Sequence, residues 1–193
     1  YEMTSSLVGS EMCIRDSWEL CIANGSPEDT AMADVLKEYS SRDRRICVRN
    51  LDENLGIAGN TNAALTMAGG EFVGLLDHDD LLAPNALYEI VKKLNEDRQL
   101  DVVYTDEDKV TTDLSEHFQP HLKPDFNLDL LRSNNYICHF FVARKSIVDK
   151  VGGFRQEFDG AQDHDFIFRC VEEASGRVGH VPEILYHWRT HKA

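Results

Sequence analysis

The sequence is short of positive charge. Its 20 Lys and Arg residues stand against 34 Asp and Glu, a formal net charge of −14. Non-specific nucleic-acid binding needs a basic face, and this balance disfavours it. A diphosphate ligand on so acidic a chain, with no dense Lys/Arg cluster, needs a divalent cation to hold it. Five cysteines occur (Cys13, Cys21, Cys47, Cys138 and Cys170), none in a CxxC pair, which excludes zinc-ribbon and thioredoxin-like sites. Four sit in or beside apolar runs, where cysteine acts as a small hydrophobe, and a reducing, cytoplasmic compartment is expected. There is no HExxH and no Cys/His zinc spacing. No run of about 18 apolar residues exists, so no transmembrane segment is expected. The first residues also lack the basic-then-apolar order of a secretory start.

What is present fits one globular domain. The chain has 193 residues, 42% of them apolar and 28% charged, enough to bury a core without disulfides. Residues 1–17 show neither a 2-residue nor a 3.6-residue apolar period. The stretch SLVGSEMCIRDS resembles an artefact of conceptual translation, so 1–17 are read as a non-native segment without function. From Trp18 the pattern becomes regular. Strands are expected at 20–23, 46–51, 72–76 and 101–105, with helices at 30–39, 60–67 and 84–94 between them. That alternation predicts an α/β fold, a Rossmann-like, mainly parallel sheet flanked by helices. Further on, short helices are expected at 128–132 and 146–151 and an amphipathic helix at 165–173. Strands are expected at 137–143, 177–181 and 184–188.

Three acidic clusters draw attention. Asp77-His78-Asp79-Asp80 follows the strand with the most continuous apolar run, and open α/β sheets bind ligands beyond the carboxyl ends of their strands. Clustered carboxylates there would hold Mg²⁺ or Mn²⁺ with positions left for phosphate oxygens. Asp106-Glu107-Asp108-Lys109 follows the strand 101–105 on the same sheet edge, with Lys109 partly neutralising it; taken alone, it reads as a solvated loop. Gln162-Asp163-His164-Asp165 opens a helix. One aspartate there serves as a cap, while the small residues Gly160-Ala161 leave room for another molecule beside a general base. Asn24-Gly25-Ser26 ends the first regular strand, as a tight turn or as a hydrogen-bonding loop beside a nucleotide. His78 and His164 each lie between aspartates, where they suit a metal or its outer shell. His187 could reach the site from the C-terminal end.

Taken in order, these pieces resemble the family 2 glycosyltransferases of the GT-A fold. The likeness runs from Trp18 to the end through WELCIANGSPED, ENLGIAGNTNAAL, GEFVGLLDHDDLLAPNALYE, YTDEDK, KPDFNLDLLRSNNYICH, VGGFRQEFDGAQDHDF and HVPEILYHWR. Within the family it is nearest to bacterial enzymes that build surface polysaccharide of the rhamnan or O-antigen type. The resemblance implies an inverting, metal-dependent transfer of a sugar from a nucleotide diphosphate-sugar (UDP or dTDP type) to a glycan or lipid-linked glycan acceptor. It implies Asp163 as general base. Asp77, Asp79 and Asp80 would hold Mn²⁺ or Mg²⁺. Asn24, Gly25, Ser26, Asn54, Gly56, Asn62 and Asp77 would contact the donor; Asp106, Asp108 and Gln162 would lie on the acceptor side. Two positions depart from the family: Asn24 stands where a second Asp is usual, and Thr61 where many members have Arg. The family's opening strand motif, of the form SIIIPTYN, has no counterpart. The domain 18–193 is therefore expected to lack its N-terminal strand and to stop short at its C-terminal end. That gap also fits an inactive sugar-nucleotide binding module or truncated remnant. A cytoplasmic location is expected, with peripheral attachment at the inner face of the membrane as a further option.

Overall fold

The computed structural model describes residues 2–7 and 18–190. Among them one nine-stranded sheet carries the fold. The strands are β1 (Glu2–Leu7), β2 (Trp18–Asn24), β3 (Ile46–Asn50), β4 (Phe72–Asp77), β5 (Leu81–Leu82), β6 (Val102–Val110), β7 (His117–His121), β8 (Phe141–Arg144) and β9 (Val178–Arg189). Across the sheet they lie in the order β3-β2-β1-β4-β8-β6-β9-β5, with β7 also on β6.

Among the described residues only β2–β3 and β6–β9 are adjacent parallel pairs. Yet β2, β3, β4, β6 and β9 all run one way, because β1 and β8 are antiparallel to both their neighbours. The sheet is thus mixed in its pairings while its main strands share a direction. Their carboxyl ends open on one edge, as the sequence implies.

The expected vacancy at the front of the sheet is filled by β1, between β2 and β4 and opposed to both. Strand pairing uses backbone groups that every residue carries, so a segment without apolar period can still complete a ladder. Of the segment read as non-native, residues 1 and 8–17 lie outside the described residues.

Side chains alternate across the pleat, as strand geometry requires. On one face Val73, Leu75, Val102, Tyr104, Phe141 and Ala143 pack against helices α2 (Gly56–Leu65), α4 (Leu128–Ser133), α5 (Lys145–Val151) and α6 (Gln162–Ala174). On the other, Phe72, Val103, Phe140 and Val142 pack with Leu185 and Tyr186 against Ile90 and Leu94 of α3 (Ala86–Glu96). Helix α1 (Thr30–Arg42) is capped by Asp29, whose carboxylate accepts from the Met32 amide at 2.9 Å.

Three expectations need correction. The segment 177–188 is a single strand, β9, continuing through Pro182. Helix α2 starts at Gly56, four residues before the expected Asn60. The strand expected at 137–143 begins only at Phe141: residues 134–140 belong to no helix or strand although Tyr136, Ile137, His139 and Phe140 are buried. An apolar run records burial and not backbone geometry, which explains the last error. Among the described residues, no helix is long and apolar enough to cross a membrane.

Candidate active site

The strand registers set the site's dimensions. Ala23 and Asp77 both pair with Glu2, so the end of β2 and the end of β4 stand level across one intervening strand, roughly 10 Å apart. Val142 pairs with both Gly74 and Val103, which brings Asp106 level with Asp77 on the far side of β8. Helix α6 delivers Asp163 to the same edge. Asp77, Asp163, His139, Thr61 and Cys138 line one small cavity, closed below by Leu75, Phe154 and Ile167.

Within that cavity Asp163 is half-buried, one residue into α6. Burial pushes its carboxyl above the usual range. His139 opposes the shift and the Asp77 charge adds to it. A carboxyl raised in this way is a better proton acceptor near neutral pH than an ordinary one. His139 sets its Nε2 3.7 Å from Asp77 Oδ2 and stacks on Tyr186, with ring centroids 4.6 Å apart.

The loop after β4 is braced from the C-terminal strand. The Tyr186 hydroxyl donates to Asp80 Oδ2 at 2.6 Å and accepts from the Asp77 amide at 3.3 Å. The Arg189 amide donates to Asp80 Oδ1 at 2.8 Å. Burial pushes the Asp80 carboxyl up, against these hydrogen bonds. Asp77, Asp80 and His139 bring ligand atoms within 4.8 Å of one another, as do Asp108, His117 and His187. Two carboxylates and an imidazole suit Mg²⁺ or Mn²⁺ in the first group. Both Asp80 oxygens already accept from the protein, one from the Tyr186 hydroxyl and one from the Arg189 amide.

The other residues expected around a donor lie at the end of β2 and in and before helix α2. Asn24 is buried; its amide donates to Asn50 Oδ1 at 3.0 Å and its oxygen accepts from the Ser26 amide at 3.1 Å. Gly25 packs so closely on Asn60 that a Cβ there would lie 2.7 Å from Asn60 Nδ2. Asn54 Oδ1 accepts from both Gly56 N and Asn60 Nδ2, fixing the turn into α2. Asn62 faces a different neighbour, exchanging two 2.8 Å hydrogen bonds with the backbone of Phe154.

The second acidic cluster departs from the expectation of a solvated loop. Asp106, Glu107 and Asp108 lie inside β6 and are buried. Each has a partner distant in sequence: Asp106 takes Lys123 N and His180 Nε2, both at 2.9 Å. Asp108 takes His187 at 2.6 Å and His117 at 3.0 Å. Glu107 takes Lys123 Nζ at 3.2 Å. Lys123, not Lys109, is the neutralising cation; Lys109 bonds Gln119 and lies over the Trp188 ring. In the third cluster Gln162 closes its own turn, accepting from Gly160 N at 2.6 Å. His164 Nε2 lies 2.7 Å from the Leu131 carbonyl oxygen.

Sequence reasoning singled out neither His139, Tyr186 nor Lys123, and it read Glu107 only as part of a solvated acidic loop. His139 follows an apolar run and reads as a core histidine. Tyr186 belongs to an apolar strand pattern, and only the neighbouring YHWR stretch hints that this strand reaches the site.

A sheet whose main strands end together in carboxylate-bearing loops, with a helix supplying one further carboxylate, is the architecture of the GT-A class. The chain belongs to glycosyl transferase family 2, whose family profile matches residues 2–152. It is 37% identical over 172 residues to the O-antigen biosynthesis protein RfbC of Myxococcus xanthus, covering 89% of this chain and 13% of that protein. It is 30% identical over 170 residues to a chondroitin synthase of Pasteurella multocida, covering 88% and 17%. The fold is similar to that of S. aureus TarS 1–349 in complex with UDP, with TM-score 0.63 and 19% identity, over 84% of this chain and 48% of that one. The chain spans less than a fifth of the length of these two curated relatives.

Proposed function

We propose that this domain moves a sugar, with inversion, from a nucleoside diphosphate of the UDP or dTDP type to a hydroxyl of a growing surface glycan. The observation that carries the reading is that Asp163 and Asp77 line one cavity with His139; burial there pushes the Asp163 carboxyl up. Asp163 takes the proton from the acceptor hydroxyl as that oxygen attacks the anomeric carbon. Asp77, Asp79 and Asp80 would hold the divalent cation, Mn²⁺ or Mg²⁺, which when bound would neutralise charge on the leaving diphosphate. Asp80 keeps their loop in place through Tyr186 and Arg189. Asn24, Gly25, Ser26, Asn54 and Gly56 shape the wall beside the nucleoside. Asn62 supports that wall from behind by holding Phe154. Asp106, Asp108 and Gln162 frame the acceptor side, and the reaction takes place at the cytoplasmic face of the membrane. The bound UDP of TarS and the name of RfbC support this choice of donor and product class.

Replacing Asp163 by Asn tests the assignment. Sugar transfer to a glycan acceptor is expected to fall by about 10²–10⁴-fold, the usual contribution of a general base. UDP affinity in calorimetry should stay within a few-fold of the parent. Transfer that survives in Asp163→Asn would remove the base assignment. Donor binding without turnover in the unaltered chain would identify a sugar-nucleotide binding module instead.

A further inference from the structure

Lys123 is a buried cation whose side chain is 0% exposed. Burying an ammonium is costly, and a long apolar side chain would fill the same space without that cost. Its three protons have three acceptors: Glu107 Oε2, the Ile137 carbonyl at 2.6 Å and the His139 carbonyl. The same Glu107 Oε2 accepts from the His139 amide at 3.1 Å. Both backbone polar groups of His139 are therefore held by one ion pair. The other Glu107 oxygen receives His121 Nδ1 at 3.2 Å.

The clamp grips the stretch that lacks regular structure. Residues 134–140 are neither helix nor strand, and their buried backbone needs partners that no ladder supplies. Beyond the clamp, the His139 ring stands 3.7 Å from Asp77 and stacks on Tyr186, whose hydroxyl contacts Asp77 and Asp80. It also faces Asp163 across the shared cavity.

We propose that Lys123 and Glu107 are positioning residues for this site: they fix the His139 backbone so that its ring is set between Asp77 and Asp163. Neither touches the cavity. They act through His139, and the apolar walls alone would leave the 137–139 bend without a defined course. Burial pulls the Lys123 ammonium below its ordinary range, and the Glu107 charge beside it opposes that shift. The catalytic part of this inference rests on the glycosyl-transfer reading; the structural part does not.

The test uses Lys123→Met, the double variant Lys123→Met/Glu107→Gln, and the parent. The single variant leaves a buried carboxylate without its cation and is expected to lower the unfolding midpoint. The double variant removes both charges at similar volume and is expected to unfold cooperatively. In it, UDP affinity should stay within threefold while the kcat for transfer falls about 100-fold, the loss expected when a site is displaced by about 1 Å. The His139 imidazole NMR signals, assigned by their loss in His139→Gln, should move. Unmoved signals, or a kcat within threefold of the parent, would overturn the inference. So would a double variant that cannot fold, since the pair would then hold the fold and not the site. A parent chain that transfers no sugar would sink the glycosyl-transfer reading, while the His139 signals would still decide whether the clamp exists.

Discussion

Residue by residue, the candidate site is a set of carboxylates in unlike surroundings. Asp163 is pushed up by burial, whereas its neighbour Asp165 is held down. Burial alone would raise Asp165, but the Arg155 and Arg169 guanidiniums outweigh it. Arg169 Nη2 stands 2.8 Å from Asp165 and also donates to the Gly153 carbonyl, while Nη1 donates to the Val151 carbonyl. The network pins the start of α6 and with it Asp163. Asp165→Asn is expected to lower stability by about 2 kcal/mol at neutral pH, the scale of a charge-assisted hydrogen bond. A depressed carboxylate stabilises the fold above its unfolded pKa, and that stabilisation is lost as pH falls through the folded value. The difference between parent and variant should therefore shrink as pH drops below about 4. Urea unfolding at neutral pH and in acid checks this; a difference that stays constant would refute it. Two aspartates two residues apart look alike in the sequence. The arginines that separate them come from Arg155 and Arg169, at distances that differ from site to site.

At the scale of elements, the ends matter more than the interiors. Helix α5 stops at Gly152 in the left-handed region, with φ of +84°, and Gly153 follows at +75°. A Cβ on Gly152 would meet nothing within 4 Å, whereas one on Gly153 would collide with Asn62 Oδ1. That oxygen holds the Phe154 amide, so the collision breaks the link between α2 and the approach to α6. Gly152→Ala is expected to cost about 1 kcal/mol from backbone strain alone. Gly153→Ala should cost about 2–4 kcal/mol, strain plus a lost buried hydrogen bond. Thermal unfolding of the two variants side by side decides it; equal losses would mean that Asn62 gives way freely. Elements with a clear period were legible: β4, α3 and α6 stand within a few residues of their expected places. The 134–140 segment was not, because an apolar run there satisfies its backbone through Lys123 and Glu107, 14–32 residues away.

Over the whole molecule, the charge of −14 bears on how a diphosphate is held. Without a cation, Asp77, Asp79 and Asp163 would repel it. UDP or dTDP is therefore expected to raise the unfolding midpoint only when Mn²⁺ or Mg²⁺ is present, since a ligand that binds the folded state alone must stabilise it. At a ligand concentration 100 times Kd the gain is about 2.7 kcal/mol. Asp79→Asn should remove the cation-dependent part. A midpoint that rises equally without metal would argue against a cation-held diphosphate.

The sequence by itself determined the fold class, the sheet edge on which the main strands end, and the three acidic clusters. Period and strand order are local properties of a chain, and the carboxyl ends of like-directed strands must meet on one edge. Only the tertiary structure decided what each acid does. It turned Asp106 and Asp108 toward histidines and Asp165 toward arginines, and set Asp163 against Asp77. It also chose Lys123 over Lys109 as the buried cation. A carboxylate's role depends on its burial and on the groups beside it, and both come from residues up to 109 positions away.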